Sequence, residues 1–182
     1  MTNRILILLL LASVTLNAYL LLREDPGNTT PPPDDVPAVV IETPAAGTYP
    51  FIRVIDGNTV AIGYSGRTEH VRLLGIRAPE PNVPGGPECQ ASEAIAHLRA
   101  TAQTGTVVLS FDTEHGPRDT MGRLTGYVEL PDGTDLGESI LRDGFARQFS
   151  STGTHERYEA YREAEQFAIQ NQLGLWDPEL CP

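Results

Sequence analysis

Lysine is absent from this chain: all 13 basic residues are arginine, against 24 aspartates and glutamates, for a formal net charge of -11 over 182 residues. Tight, nonspecific clamping of duplex nucleic acid needs many cationic contacts to phosphate, and this balance argues against it. A small site where a few arginines converge remains open, because bulk charge governs solubility and steering and not the content of a pocket. Cysteine is scarce as well. Cys89 and Cys181 are the only two, too few for a structural zinc site. In a domain outside the cytoplasm they read first as a disulfide pinning the tail beneath the fold, with free thiols as the alternative. His70, His97, His115 and His155 are scattered without ligand spacing, so they read as surface or packing residues.

Long apolar runs are also few. The leading one, Ile5 to Leu22, is interrupted only by Ser13, Thr15 and Asn17. As a helix it spans about 27 Å, close to the hydrocarbon core of a bilayer at about 30 Å. Residues 1–23 are therefore expected to form a single membrane anchor, or a secretory signal if the chain is cut after it; Leu16-Asn17-Ala18 puts a leucine where the cleavage rule wants a small residue. Arg4 precedes the run, while Arg23 is followed by Glu24 and Asp25. The positive-inside tendency then places the remainder of the chain outside the cytoplasm.

Residues 24–48 shift to proline, aspartate, threonine and alanine around Pro31-Pro32-Pro33, a composition that favours an extended, semi-stiff spacer. The folded domain is expected over 49–182. Phe51 to Ile55 alternates, Asp56-Gly57-Asn58 is a hairpin-type turn, Thr59 to Tyr64 forms a second strand, and Thr68 to Ile76 a third. A loop rich in proline and glycine leads to a helix from about Cys89 to Thr101, with Ala91, Ala94, Ile95, Leu98 and Ala102 on one face. Strands follow at Thr106 to Phe111 and Arg123 to Leu130, then a short helix from Leu136 to Arg142 ended by Gly144. The last helix starts near Thr154 and turns Tyr158, Tyr161, Ala164 and Ala168 inward. This order suits an α+β fold, a five-stranded OB-type barrel with about three helices packed beneath it, one face of which is a common place to grip single-stranded nucleic acid.

The chemistry is concentrated in Val71-Arg72-Leu73-Leu74-Gly75-Ile76-Arg77-Ala78-Pro79-Glu80. It begins with strand character and ends at a proline, which cannot continue a ladder. An arginine within a strand and a carboxylate just past it suit phosphate chemistry: a guanidinium is permanently charged and meets phosphate oxygens two at a time, and a carboxylate can take a proton from attacking water. A strand arginine is, by itself, more often a rim residue in a surface pair.

Four stretches in this order resemble the thermonuclease, or staphylococcal-nuclease-like, family: Val54-Ile55-Asp56-Gly57-Asn58-Thr59-Val60, the segment from Val71 to Glu80, Asp119-Thr120-Met121-Gly122-Arg123, and Leu141-Arg142-Asp143-Gly144-Phe145-Ala146. The closing Gly174-Leu175-Trp176 fits as well. The resemblance implies an OB-type barrel and calcium-dependent hydrolysis of DNA and RNA phosphodiesters. It implies catalytic roles for Arg72 and Arg123, on the scissile phosphate, and for Glu80, which orients or deprotonates the attacking water.

The chain departs from the family pattern at the metal. Where the family has a carboxylate in the first turn this chain has Asn58, and where it has a carboxylate and threonine before the proline this chain has Arg77-Ala78. Calcium is favoured by several hard, anionic oxygens. Asp56 and the Asn58 carbonyl remain as candidate ligands, but an ion beside Arg77 meets repulsion, so Ca²⁺ is a doubtful cofactor. Alternatively the Arg77 guanidinium takes the metal's space and binds phosphate itself. The stacking tyrosines expected after the Phe145 strand are unmatched; Ser150, Ser151 and Thr152 stand there, with Phe149 the nearby aromatic. The expected function is a membrane-anchored extracytoplasmic nuclease acting on single-stranded or flexible nucleic acid. The alternative is a nuclease-fold module that binds such a ligand and has lost turnover.

Overall fold

The computed structural model describes residues 42–102, 105–149 and 153–182. The expected anchor, the spacer up to residue 41, and Ser150, Ser151 and Thr152 lie outside the described residues.

Strands β1 (Gly47–Asp56), β2 (Thr59–Tyr64) and β3 (Arg67–Leu73) form the antiparallel meander that their alternation predicts. Gly47 and Thr48, read as the end of the spacer, open β1 instead. Their stretch, Gly47 to Pro50, pairs with β5 (Thr106–Ser110), whereas Phe51 to Asp56 pairs with β2. One strand thus turns the corner between two neighbours, and two register shifts along its pairing with β2 supply the bend. At the β2–β3 turn Ser65 and Gly66 both have positive φ, 48° and 74°, the primed geometry whose twist matches that of the flanking strands. β6 (Leu124–Glu129) runs parallel to β3 and antiparallel to β5, which closes the barrel in the order β1-β2-β3-β6-β5.

The third strand is shorter than its apolar run suggests. β3 stops at Leu73, Gly75 takes φ 80°, and Ile76–Arg77 becomes a separate strand, β4. A β-carbon on Gly75 would lie 2.4 Å from the His155 ring, so both the backbone angle and the packing call for glycine at this corner. β4 pairs with β7 (Arg147–Gln148), a two-residue strand that begins two residues past Phe145, where a strand was expected.

Helix α1 (Ala91–Thr101) starts two residues later than Cys89 and buries Ala91, Ala94 and Leu98, with Ala102 just beyond its end. Helix α2 (Leu136–Arg142) is capped by Asp135, whose carboxylate accepts from the amides of Gly137 and Glu138. Helix α3 (Tyr158–Gln170) begins after a turn at His155–Tyr158 instead of at Thr154; it buries Tyr161, Ala164 and Ala168 but leaves Tyr158 part-exposed. A 3-10 turn, Gly174–Trp176, follows it. The core fills the barrel with Val60, Ile62, Val71, Leu73, Leu109 and Leu124, and continues beneath it through Leu98, Ile140, Leu141 and Tyr161. Burying each of the larger aliphatic side chains contributes about 1.5–3 kcal/mol. The Cys89–Cys181 disulfide ties the chain's tail to the start of α1, with a Cα–Cα distance of 5.9 Å.

Candidate active site

Two turns and one strand meet at the barrel's side. The turn after β1 can lie against the segment after β4 because Gly57 has no side chain: a β-carbon there would stand 2.6 Å from that of Ala78 and 3.2 Å from that of Ala94. Between the turns opens a cleft of about 370 Å³, whose lining includes Asp56, Asn58, Arg72, Glu80 and Arg123. Its volume is within the range of small-ligand sites. The residues separated furthest along the chain, Asp56 and Arg123, are brought together by the parallel β3–β6 pairing, in which Arg72 lies opposite Thr125.

Asn58 is buried and serves Arg72. Its side-chain oxygen accepts from Arg72 Nη1 at 3.0 Å and from Thr59 Oγ1 at 3.2 Å, while its backbone carbonyl accepts from the Leu73 amide at 2.8 Å. The Asp56 carboxylate accepts from the Asn58 amide at 2.9 Å, which sets the turn. Arg123 is held by Asp119: its Nε donates to Oδ2 at 2.8 Å, and the other carboxylate oxygen accepts from the amides of Met121 and Arg123. Arg118 Nη1 donates to the Gly122 carbonyl at 2.7 Å and steadies the same turn. The motif Asp119 to Arg123 was legible in the sequence as a motif; that Asp119 is the clamp on Arg123 was not.

Electrostatically Arg72, Arg123, Asp56, Asp119 and Glu80 form one set. Burial, and then repulsion from Arg123, draw the Arg72 guanidinium below its ordinary pKa, while Asp56, Asp119 and Glu80 pull it back up. Burial alone would raise Asp119, but hydrogen bonds from the Arg123 side chain and from backbone amides outweigh it and leave it lowered. Two guanidiniums close enough to repel, in a cleft open to solvent, favour an anion between them.

Arg77 stands elsewhere. Its Nη2 donates to Glu88 Oε1 at 2.8 Å, and it lines a second cleft that shares only Ala78 and Pro79 with the first. Phe149, 46% exposed, borders a third, smaller pocket of about 120 Å³ that reaches the other side of Arg72. The structure thus gathers Asp56, Asn58, Arg72, Glu80 and Arg123 into one cleft, sets Phe149 on a pocket that shares Arg72 with it, and places Arg77 on a different cleft.

The calcium that the sequence resemblance implies meets a poor donor set here. Asp56 and Glu80 are the cleft's carboxylates, and the Asn58 oxygen already accepts from Arg72 and Thr59. Among the described residues no group of three or more His, Cys, Asp or Glu is placed to hold a metal ion. Calcium is favoured by several anionic oxygens, and Asn58 and Arg77 stand where the family pattern has carboxylates.

Comparison with known proteins identifies the family. A model of the staphylococcal nuclease homologue family matches residues 70–178. The chain is 32% identical over 133 residues to the thermonuclease of Staphylococcus intermedius, covering 71% of this chain and 76% of that one. It is 29% identical to the thermonuclease of Staphylococcus hyicus, covering 71% and 75% of the two chains. It is 31% identical over 126 residues to the endonuclease YncB of Bacillus subtilis (strain 168), spanning 68% of this chain but 59% of that longer protein. With a matched family model over more than half of its length and a closed five-stranded barrel beneath it, the chain belongs to the staphylococcal nuclease homologue family.

Proposed function

We propose that the folded unit hydrolyses phosphodiester bonds of single-stranded or flexible nucleic acid, and that residues 1–23 hold it at a membrane with the folded unit outside the cytoplasm. The observation that carries the reading is the presence of Arg72, Arg123 and Glu80 on one open cleft, with the two guanidiniums coupled. Arg72 and Arg123 bind the phosphate and meet the charge that grows on its oxygens during attack. Each preplaced donor of this kind is worth about 2–4 kcal/mol of barrier. Glu80 takes a proton from the attacking water as its oxygen bonds to phosphorus and the bond to the leaving oxygen breaks. Phe149 offers a face for the adjoining base, and Arg77, already held by Glu88, stands outside this set.

No step of this scheme is routed through calcium, because Asn58 and Arg77 stand where the family pattern has carboxylates. That same mismatch favours the second reading, a module that grips phosphate without turnover. The full 182-residue chain, offered single-stranded DNA and RNA in calcium, in other divalent ions and in chelator, separates the two. The nuclease reading expects cleavage that persists in chelator and that Arg72→Ala and Glu80→Gln each sharply reduce. Binding without cleavage under every condition, weakened by Arg72→Ala alone, would establish the second.

A further inference from the structure

The second cleft raises the question of what Arg77 does. Arg77 faces Arg147 across the β4–β7 pairing, and the two line this cleft together with Glu88. The Glu88 carboxyl is held below the ordinary carboxylate range, first by a hydrogen bond from the Glu80 amide and then by the charges of Arg77 and Arg147. An anion is therefore already in place between these arginines, and it belongs to the protein.

Glu88 grips residue 80 on both sides of its backbone. Its Oε2 accepts from the Glu80 amide at 2.8 Å, and its own amide donates to the Glu80 carbonyl at 3.0 Å. The segment Pro79-Glu80-Pro81 contains a single backbone N–H, because neither proline has one. Glu88 occupies that one donor. The seven residues between, Pro81 to Pro87, make a turn of their own through a bond from the Gly86 amide to the Val83 carbonyl, so the 80–88 pair forms the neck of the loop. Beyond the neck Glu88 is fixed from the other direction: its carbonyl accepts from the Ala91 amide at 3.2 Å, where α1 begins, and Cys89 is tied to Cys181.

We infer that Glu88 is a positioning residue for Glu80, holding the proline-flanked turn so that the Glu80 carboxylate faces Arg72 and Arg123, with Arg77 as the counter-charge that holds Glu88 in turn. The inference rests on the nuclease reading of the first cleft. It also gives Arg77 a role that needs no ligand: an ion pair fixes this turn where the family pattern would put a metal ligand.

The test compares the full chain with Glu88→Ala, Glu88→Gln and Arg77→Ala, by steady-state cleavage of a single-stranded oligonucleotide and by hydrogen exchange at the Glu80 amide. Glu88→Ala is expected to lower kcat by about 10- to 100-fold, the scale of a 1 Å misplacement, with KM changed less than threefold. Glu88→Gln keeps a neutral acceptor and falls between, and Arg77→Ala shows the smaller loss. Exchange at Glu80 accelerates in Glu88→Ala while barrel amides such as those of Val71 and Leu73 keep their protection, which excludes general unfolding. A Glu88→Ala variant with faster Glu80 exchange and wild-type kcat overturns the inference alone. So does an unchanged exchange rate. A wild-type chain that cleaves nothing overturns the nuclease reading, and the positioning role with it.

Discussion

Arg72 and Arg157 are both partly buried guanidiniums against the barrel, and they are set in opposite ways. Arg157, at the start of α3, donates through Nη1 to Asp135 and through Nη2 to Glu129 and Ser110, and lies 4.2 Å over the Tyr127 ring. Burial would lower its pKa, but these two carboxylates outweigh burial and raise it. Arg72 makes one side-chain hydrogen bond among the described residues, to the neutral Asn58 oxygen, and its pKa falls. A guanidinium held between two carboxylates is a structural strut. One that is buried, repelled by a second arginine and answered by a single amide holds unspent capacity for an anion. The contrast singles out the first cleft without reference to any relative.

The largest effect expected from this contrast is on turnover. Arg72→Ala should reduce cleavage by about 10²- to 10³-fold, the usual loss for one donor to a developing oxyanion, and leave the unfolding midpoint nearly unchanged. Arg157→Ala should do the reverse. It strips Asp135, which is buried, of its cation, and should cost about 2–3 kcal/mol of stability, read by urea denaturation. Activity measured where the variant remains folded should be retained. If the two variants lose activity and stability in the same proportion, the distinction between strut and site is empty.

A second strut supplies a smaller effect with a definite sign. Asp112 is buried, and burial alone would raise its pKa; hydrogen bonds from the Glu156 amide, His115, Tyr127 and the Glu114 amide outweigh that and hold it well below the carboxylate range. A carboxyl depressed in the fold contributes stability that is present above its unfolded pKa, about 3.9, and lost as pH falls below it. Unfolding midpoints should therefore drop as pH falls from 5 to 3, and Asp112→Asn, less stable at pH 7, should show a shallower drop over the same interval. Equal slopes would mean that other carboxyls carry the acid sensitivity.

How much of this was legible beforehand follows from the range of each interaction. The barrel strands and α2 were readable because alternation and helical spacing are local, and Arg72, Glu80 and Arg123 because their flanking motifs resemble a family. The break of the third strand at Gly75 was hidden: the residue that packs against this corner, His155, lies eighty residues on. β7 has two residues, too few for alternation to register, and it pairs with β4. Glu88 carried no signal either, since its importance comes from a neck closed eight residues back around two prolines. Arg77 was read as a phosphate ligand or a metal substitute from its position in the motif; its placement on a different cleft, against Glu88, depends on the turn at Gly75 that no local pattern announces.

The smallest expected effect bears on the boundary between the two kinds of arginine. Asn58→Asp gives the cleft a third carboxylate, and Arg77→Asp replaces the counter-charge of Glu88 with a second negative charge. Singly, Asn58→Asp should strengthen the hold on Arg72 and turn that residue toward the strut condition, with a modest fall in cleavage in chelator. Together the two changes restore carboxylates at 58 and 77, the two positions where the family pattern has them and the native chain does not. Cleavage by the double variant should be low in chelator, because the ion pair that steadies the Glu80 turn has become a repulsion, and should rise by about tenfold when calcium screens it. The native chain should be indifferent to the same addition. A double variant that also ignores calcium would show that the departures at Asn58 and Arg77 are unconnected with the metal, and that the neck at Glu88 is held by its amide bond alone.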